Sequence, residues 1–105
     1  MVALEAVLQA VKEQFQELYR DQLEQLILFG SQARRQAEAD SDIDIAVILT
    51  GAVNPIQEIK KNNPWISDLC LETDTLINCL YLSREQYETK ETPLIRNIKR
   101  EGISV

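Results

Sequence analysis

Histidine is absent from this chain of 105 residues, and glycine, proline, cysteine and tryptophan occur only three, three, two and one times. The lack of histidine excludes the Ser-His-Asp triad, His-ligated metal sites and the commonest general base. The two cysteines, Cys70 and Cys79, have no Cys or His companions at a zinc-binding spacing. We therefore expect them to be reduced residues that contribute to the core.

Basic side chains are also in deficit, with 11 Lys and Arg against 17 Asp and Glu and a net charge of −6. Non-specific binding to nucleic acid needs a basic surface, so we expect no direct contact with nucleic acid. No apolar run approaches the length of about 18 residues that a membrane helix needs, and no signal peptide is recognisable. These absences predict a cytoplasmic protein that does not bind membranes. The length and the 45% hydrophobic content predict a single domain over residues 1–105.

The hydrophobic pattern alternates between helical and strand periods along the chain. It predicts strands over residues 25–29, 42–49 and 73–82, and helices over residues 3–19, 32–37, 55–61 and 83–90 and from Thr92 onwards. We expect Asn62-Asn63-Pro64 to interrupt the helix that begins at Pro55, and Gly102 to end the last helix in the left-handed conformation. The alternation predicts the α/β (α+β) class, with helices packed on a sheet. The pairing direction of the first two strands stays open, because their connection is short.

The pattern that says most is Gly30-Ser31, then ten residues, then Asp42-Ile43-Asp44. Since side chains in a strand alternate between its two faces, Asp42 and Asp44 are predicted to share one face. Two adjacent carboxylates repel each other unless a cation lies between them, and hard oxygen ligands favour Mg²⁺. The alternative is an ordinary polar face on a half-exposed strand. The Gly-Ser turn predicts either a phosphate site or a simple helix N-cap, and the two interpretations are compatible.

Three further residues, Arg34, Asp74 and Asn78, are candidates for the same site. Arg34 lies one helical turn after Ser31, where it could contact a phosphate or instead pair with Glu38. A two-metal site needs more than two ligating side chains. Asp74 is the candidate carboxylate on the third predicted strand, although it could simply be the residue where that strand begins. Asn78, further along the same face, offers a carbonyl oxygen without charge.

The segment from Gly30 to Val47 resembles the minimal nucleotidyltransferases, small members of the DNA polymerase beta superfamily. Their pattern, G-S-x-A-R-G, five residues and S-D-I-D, is matched at nearly every fixed position, with Arg35 in place of the second glycine. The ending from Thr92 to Gly102 also resembles that of small stand-alone members. The resemblance implies a small mixed sheet flanked by helices, with Asp42 and Asp44 on Mg²⁺ and Gly30 and Ser31 on the phosphates of the nucleotide.

Members of this family transfer a nucleoside monophosphate from a triphosphate to a hydroxyl. Many small members resemble antitoxins that bind a helical HEPN ribonuclease toxin and in some cases adenylylate it on tyrosine. The prediction is therefore a Mg²⁺- and ATP-dependent protein adenylyltransferase that acts on a HEPN-type partner. Its predicted site comprises the catalytic and metal-binding residues Asp42, Asp44 and Asp74, and the nucleotide-binding residues Gly30, Ser31 and Arg34. The alternative is a nucleotidyltransferase fold that neutralises its partner by binding alone; Trp65, Ile66 and residues 94–103 are the predicted contact surface.

Overall fold

The computed structural model describes residues 3–30 and 42–105. Within them the chain forms α1 (Leu4–Tyr19), β1 (Leu23–Phe29), β2 (Ile43–Leu49), α2 (Pro55–Thr73), β3 (Ile77–Ser83), α3 (Arg84–Thr89), α4 (Pro93–Glu101) and β4 (Ile103–Ser104). The described strands form one sheet in the order β3-β2-β1-β4. β1 pairs antiparallel with β2 and β4, whereas β2 and β3 are parallel. The expected mixed sheet flanked by helices is confirmed.

β2 is one of the two inner strands of the sheet, and both of its faces are covered. On one face it packs against α1 and α2, where the larger core cluster includes Phe15, Ile45 and Val47. On the other face Ala46 and Ile48 contact Ile98 of α4 in a smaller cluster. Coverage on both faces explains why β2 is apolar along nearly its whole length.

α2 runs without interruption through Asn62-Asn63-Pro64, so the predicted break is wrong. The Asn62 side chain is fully buried, and its Nδ2 donates to Tyr19 Oη at 2.8 Å and to the Glu58 carbonyl oxygen at 2.9 Å. Its Oδ1 accepts a hydrogen bond from Trp65 Nε1 at 2.9 Å. A proline inside a helix costs about 3 kcal/mol. Tertiary packing and these hydrogen bonds offset that cost, and local sequence does not reveal them.

The third strand begins at Ile77, not at Thr73 as predicted. Asp74 instead ends α2 as its C-cap, with a left-handed φ of 52°, and its N–H donates to the Cys70 carbonyl oxygen. Asp and Asn adopt this conformation more readily than most other residues with a Cβ atom. Asp74 therefore lies before β3 and not in it.

Gly102 ends α4, but its φ is −68° and not left-handed as expected. A Cβ atom there would clash with the Ile98 carbonyl oxygen and the Ile27 side chain, so glycine is needed for close packing. The residues after it form β4, which the sequence pattern did not predict. β4 pairs with β1 at Ile27 and Leu28.

The last two helices begin within one residue of the positions predicted for them. α3 begins with a capping box of Ser83 and Gln86, and α4 begins with a cap by Thr92. The helix predicted over residues 32–37 lies outside the described residues. Cys70 and Cys79 are free and partly buried against the core, as expected, and burial raises the pKa of the Cys79 thiol to about 12. None of the described helices combines the length and apolar character needed to cross a membrane.

Candidate active site

Asp42 and Asp44 lie at the N-terminal end of β2, where the strand enters the sheet. Asp44 shares a sheet face with Ala46 and Ile48, whereas Ile43 and Ile45 point into the larger core cluster. Asp42 is exposed and Asp44 is half-buried. The strand period therefore places a carboxylate pair at the sheet edge, beyond the apolar residues of the smaller cluster.

Asn78 joins these two carboxylates. It lies directly opposite Asp44 in the parallel pairing of β2 with β3. Its Nδ2 donates to Asp44 Oδ1 at 3.3 Å and to Asp42 Oδ2 at 3.4 Å. One exposed amide group thus contacts both acidic side chains.

Gly30 lies beside the same pair, directly after β1. Its neighbour Phe29 is paired with Asp44, and the φ of Gly30 is +75°. A Cβ atom on Gly30 would lie 2.5 Å from Asp44 Oδ2. Glycine is therefore needed both for the backbone conformation and for the space that the Asp44 carboxylate occupies.

The other predicted site residues are Ser31, Arg34 and Asp74. Ser31 and Arg34 lie outside the described residues. Asp74 lies at the end of α2, three positions before β3 begins. Among the described residues, no group of three His, Cys, Asp or Glu side chains could hold one metal ion. The assignment of Asp74 as a metal ligand stays a prediction.

The charge at this edge is unbalanced among the described residues. Within residues 3–30 and 42–105 no Lys or Arg forms an ion pair with Asp42 or Asp44, and the ion pairs involve Glu24, Glu88 and Glu101 instead. Carboxylate oxygens at an accessible edge are the donors that Mg²⁺ prefers. The donor set fits a divalent cation, or the Mg²⁺ complex of a nucleotide, on chemical grounds.

The predicted partner surface requires a correction. Trp65 packs edge-on against Phe15, with ring centroids 5.0 Å apart, and Ile66 is only 7% exposed. Ile66 belongs to the core, so its assignment to a contact surface is wrong, whereas Trp65 is only partly buried against the core and its assignment stays a prediction. Leu94 and Ile103, in contrast, are 45% and 42% exposed. Sequence reasoning missed five further exposed apolar residues among those described, which are Leu18, Ile56, Ile59, Leu71 and Leu76.

Comparison with known proteins adds independent evidence. The family model described as polymerase beta, nucleotidyltransferase matches residues 9–105. A protein of Methanocaldococcus jannaschii that is named as a protein adenylyltransferase is 27% identical over 99 residues, which cover 94% of this chain and 95% of that protein.

Solved structures share the fold. A nucleotidyltransferase from Sulfolobus solfataricus superimposes with a TM-score of 0.69 at 18% identity, covering 94% of this chain and 76% of the other. A complex of a tri-AMPylated HEPN toxin from Shewanella oneidensis with its MNT antitoxin gives a TM-score of 0.53 at 22% identity. That match covers 91% of this chain and 69% of the other. At these identities the similarity concerns the fold alone.

Proposed function

Because this chain belongs to the polymerase beta nucleotidyltransferase family, we propose that it transfers AMP from ATP to a hydroxyl group of a partner protein. The observation that carries the proposal is the pair Asp42 and Asp44 at the accessible edge of the sheet, with Gly30 packed against it. The acceptor is a tyrosine of a HEPN-type ribonuclease toxin, and this chain is its antitoxin. The pair would act in the cytoplasm.

In this proposal Asp42 and Asp44 hold Mg²⁺; Asp74, which the sequence predicts as a third ligand, is not needed for it. The bound Mg²⁺ supplies positive charge that offsets the repulsion between the carboxylates and the triphosphate. The absence of a side chain at Gly30 leaves room for Asp44 beside the nucleotide. Ser31 and Arg34 are the predicted phosphate contacts. The acceptor hydroxyl loses its proton to solvent, and its oxygen bonds to the α-phosphorus as the bond to the leaving pyrophosphate breaks.

Two comparisons support the choice of acceptor. The M. jannaschii relative is named as a protein adenylyltransferase, and its match extends over nearly the whole of both chains. The S. oneidensis complex pairs an MNT antitoxin with a toxin that carries AMP groups. A protein hydroxyl is therefore a better-supported acceptor than a small molecule.

A second function has its own support. The described residues contain no set of three metal-binding carboxylates, while Leu71, Leu76 and Leu94 expose apolar surface. Such a chain could silence its partner by binding, with little or no transfer. Asp42 and Asp44 would then not be needed to silence the partner.

Intact-mass spectrometry separates the two functions. The test uses this protein purified together with a candidate HEPN-type partner, with and without ATP and Mg²⁺. Transfer predicts that the partner gains one or more AMP groups, and that Asp42→Asn combined with Asp44→Asn prevents the gain. If the partner's ribonuclease activity is lost with no mass change, and the double variant protects equally well, the binding function is correct and transfer is rejected.

A further inference from the structure

We propose that Asn78 is the third side chain of the acidic site and that it stabilises the metal-free pair at the expense of cation affinity. The inference rests on the proposed function, because it assumes that Asp42 and Asp44 bind a cation. It concerns a positioning role in which one neutral amide takes the place that a third carboxylate could occupy.

The register of the sheet carries the first step. Asn78 is paired with Asp44 across β2 and β3, so the two side chains leave the sheet on the same face. Asp74 belongs to the C-cap of α2 and has no place in this ladder. Of the two residues that the sequence offered as a third ligand, Asn78 is the one that contacts the acidic pair.

The Asn78 side chain directs its amide nitrogen towards the acidic pair. Nδ2 has two N–H donors, and it lies 3.3 Å from Asp44 Oδ1 and 3.4 Å from Asp42 Oδ2. The carbonyl oxygen in the same place would face two negative groups and be repelled. The amide therefore joins two carboxylates that would otherwise repel each other, and no described Lys or Arg pairs with them.

The charge count carries the third step. Asn and Asp have nearly the same shape, so Asn78→Asp would add a carboxylate at the same position without changing the packing. Three carboxylates attract a divalent cation more strongly than two, because affinity rises with the number of charged ligands. The same three charges would repel one another when no cation is present. Asn78 thus trades cation affinity for stability of the empty site.

The experiment measures binding of Mn²⁺ alone, by calorimetry, together with melting temperature in EDTA and in Mg²⁺. Asn78→Asp is expected to bind Mn²⁺ at least about tenfold more tightly and to melt at a lower temperature than the parent in EDTA. Asn78→Ala is expected to melt at a lower temperature than the parent in EDTA. Mg²⁺ should raise the melting temperature of this variant by more than it raises that of the parent. The matched control is Asn54→Asp, which adds the same charge after the opposite end of β2 and should leave Mn²⁺ affinity unchanged.

The possible failures are distinguishable. If Asn78→Asp binds Mn²⁺ no better than the parent, while Asp42→Asn with Asp44→Asn abolishes binding, the role of Asn78 is rejected and the metal site stands. The same conclusion follows if Asn54→Asp raises the affinity as much as Asn78→Asp. If the parent and the variant with both Asp42→Asn and Asp44→Asn bind Mn²⁺ equally, or if neither binds it, the metal site is rejected. The role of Asn78 is then rejected with it.

Discussion

Gly30 packs so closely against Asp44 that a Cβ atom on Gly30 would lie 2.5 Å from Asp44 Oδ2. Gly51 has nearly the same φ, +80° against +75°, but a Cβ atom there would meet nothing within 4 Å. Substitution at Gly51 therefore costs only backbone strain, whereas substitution at Gly30 also displaces a residue of the site.

Gly30→Ala and Gly51→Ala form a matched pair. Each should lower the free energy of unfolding by about 1–2 kcal/mol, the usual cost of a left-handed residue with a Cβ atom. Only Gly30→Ala should also reduce AMP transfer, because it moves the Asp44 carboxylate. Urea unfolding and initial transfer rates measure the two effects. Equal loss of transfer in both variants would show that the contact with Asp44 has no role in the reaction.

Asp42→Asn combined with Asp44→Asn should abolish transfer and leave the fold intact. The change removes two adjacent negative charges from one sheet face, so the metal-free protein should be as stable as the parent or slightly more stable. Thermal melting in EDTA and a transfer assay are the measurements. Asp68→Asn, at an exposed position on α2, is the control and should keep full activity. A double variant that melts well below the parent would show that these carboxylates stabilise the fold.

The acidic edge could be predicted from the sequence because strand period and chain spacing determine it. Asp42 and Asp44 alternate with core residues, and that alternation is visible without a structure. Asn78 was also recognisable as a candidate, but its contact with both carboxylates depends on the register of β3 against β2. Register is a tertiary property that the sequence pattern did not determine here.

Two errors in the predicted fold also arise where local sequence patterns do not decide the structure. Local rules end a helix at Asn62-Asn63-Pro64, yet Asn62 is buried among Tyr19 and Trp65 and the helix continues. Local alternation also begins the third strand too early, because the left-handed C-cap at Asp74 is decided by the end of α2. Tertiary contacts outweigh local preference at Asn62, and the resulting length of α2 moves the start of β3 to a later residue.

Asp74 can be tested by two substitutions. At a left-handed C-cap asparagine is as well tolerated as aspartate, so Asp74→Asn should keep the stability of the parent. Asp74→Ala should lower it by about 1 kcal/mol. If Asp74 is a metal ligand, Asp74→Asn should reduce turnover by about 10²-fold, equivalent to about 2.7 kcal/mol. We expect turnover to be retained, since Asp74 precedes β3 instead of facing Asp44 across the sheet. Transfer rates at saturating ATP distinguish these outcomes.

The ionisation of Tyr19 makes the free energy of unfolding depend on pH in the alkaline range. Its hydroxyl donates to Glu58 Oε1 at 2.5 Å and accepts from Asn62 Nδ2 at 2.8 Å. Burial and the hydrogen bond to Glu58 raise the pKa of Tyr19 from 10.0 to about 12. Because the folded protein holds this proton more tightly than the unfolded chain, the stabilisation is complete below pH 10 and is lost as pH rises to about 12.

Tyr19→Phe and Tyr81→Phe should therefore have opposite effects near pH 8. Tyr19→Phe removes a bonded hydroxyl and one partner of the buried Asn62 amide, and should cost about 1–3 kcal/mol. The hydroxyl of Tyr81 is buried without a hydrogen-bond partner among the described residues, so Tyr81→Phe should leave stability unchanged or raise it. Urea unfolding at pH 8 measures both changes. Unfolding between pH 10 and 12 should show a shallower loss of stability for Tyr19→Phe than for the parent. The same slope in parent and variant would mean that Tyr19 ionises no differently in the folded and unfolded chains.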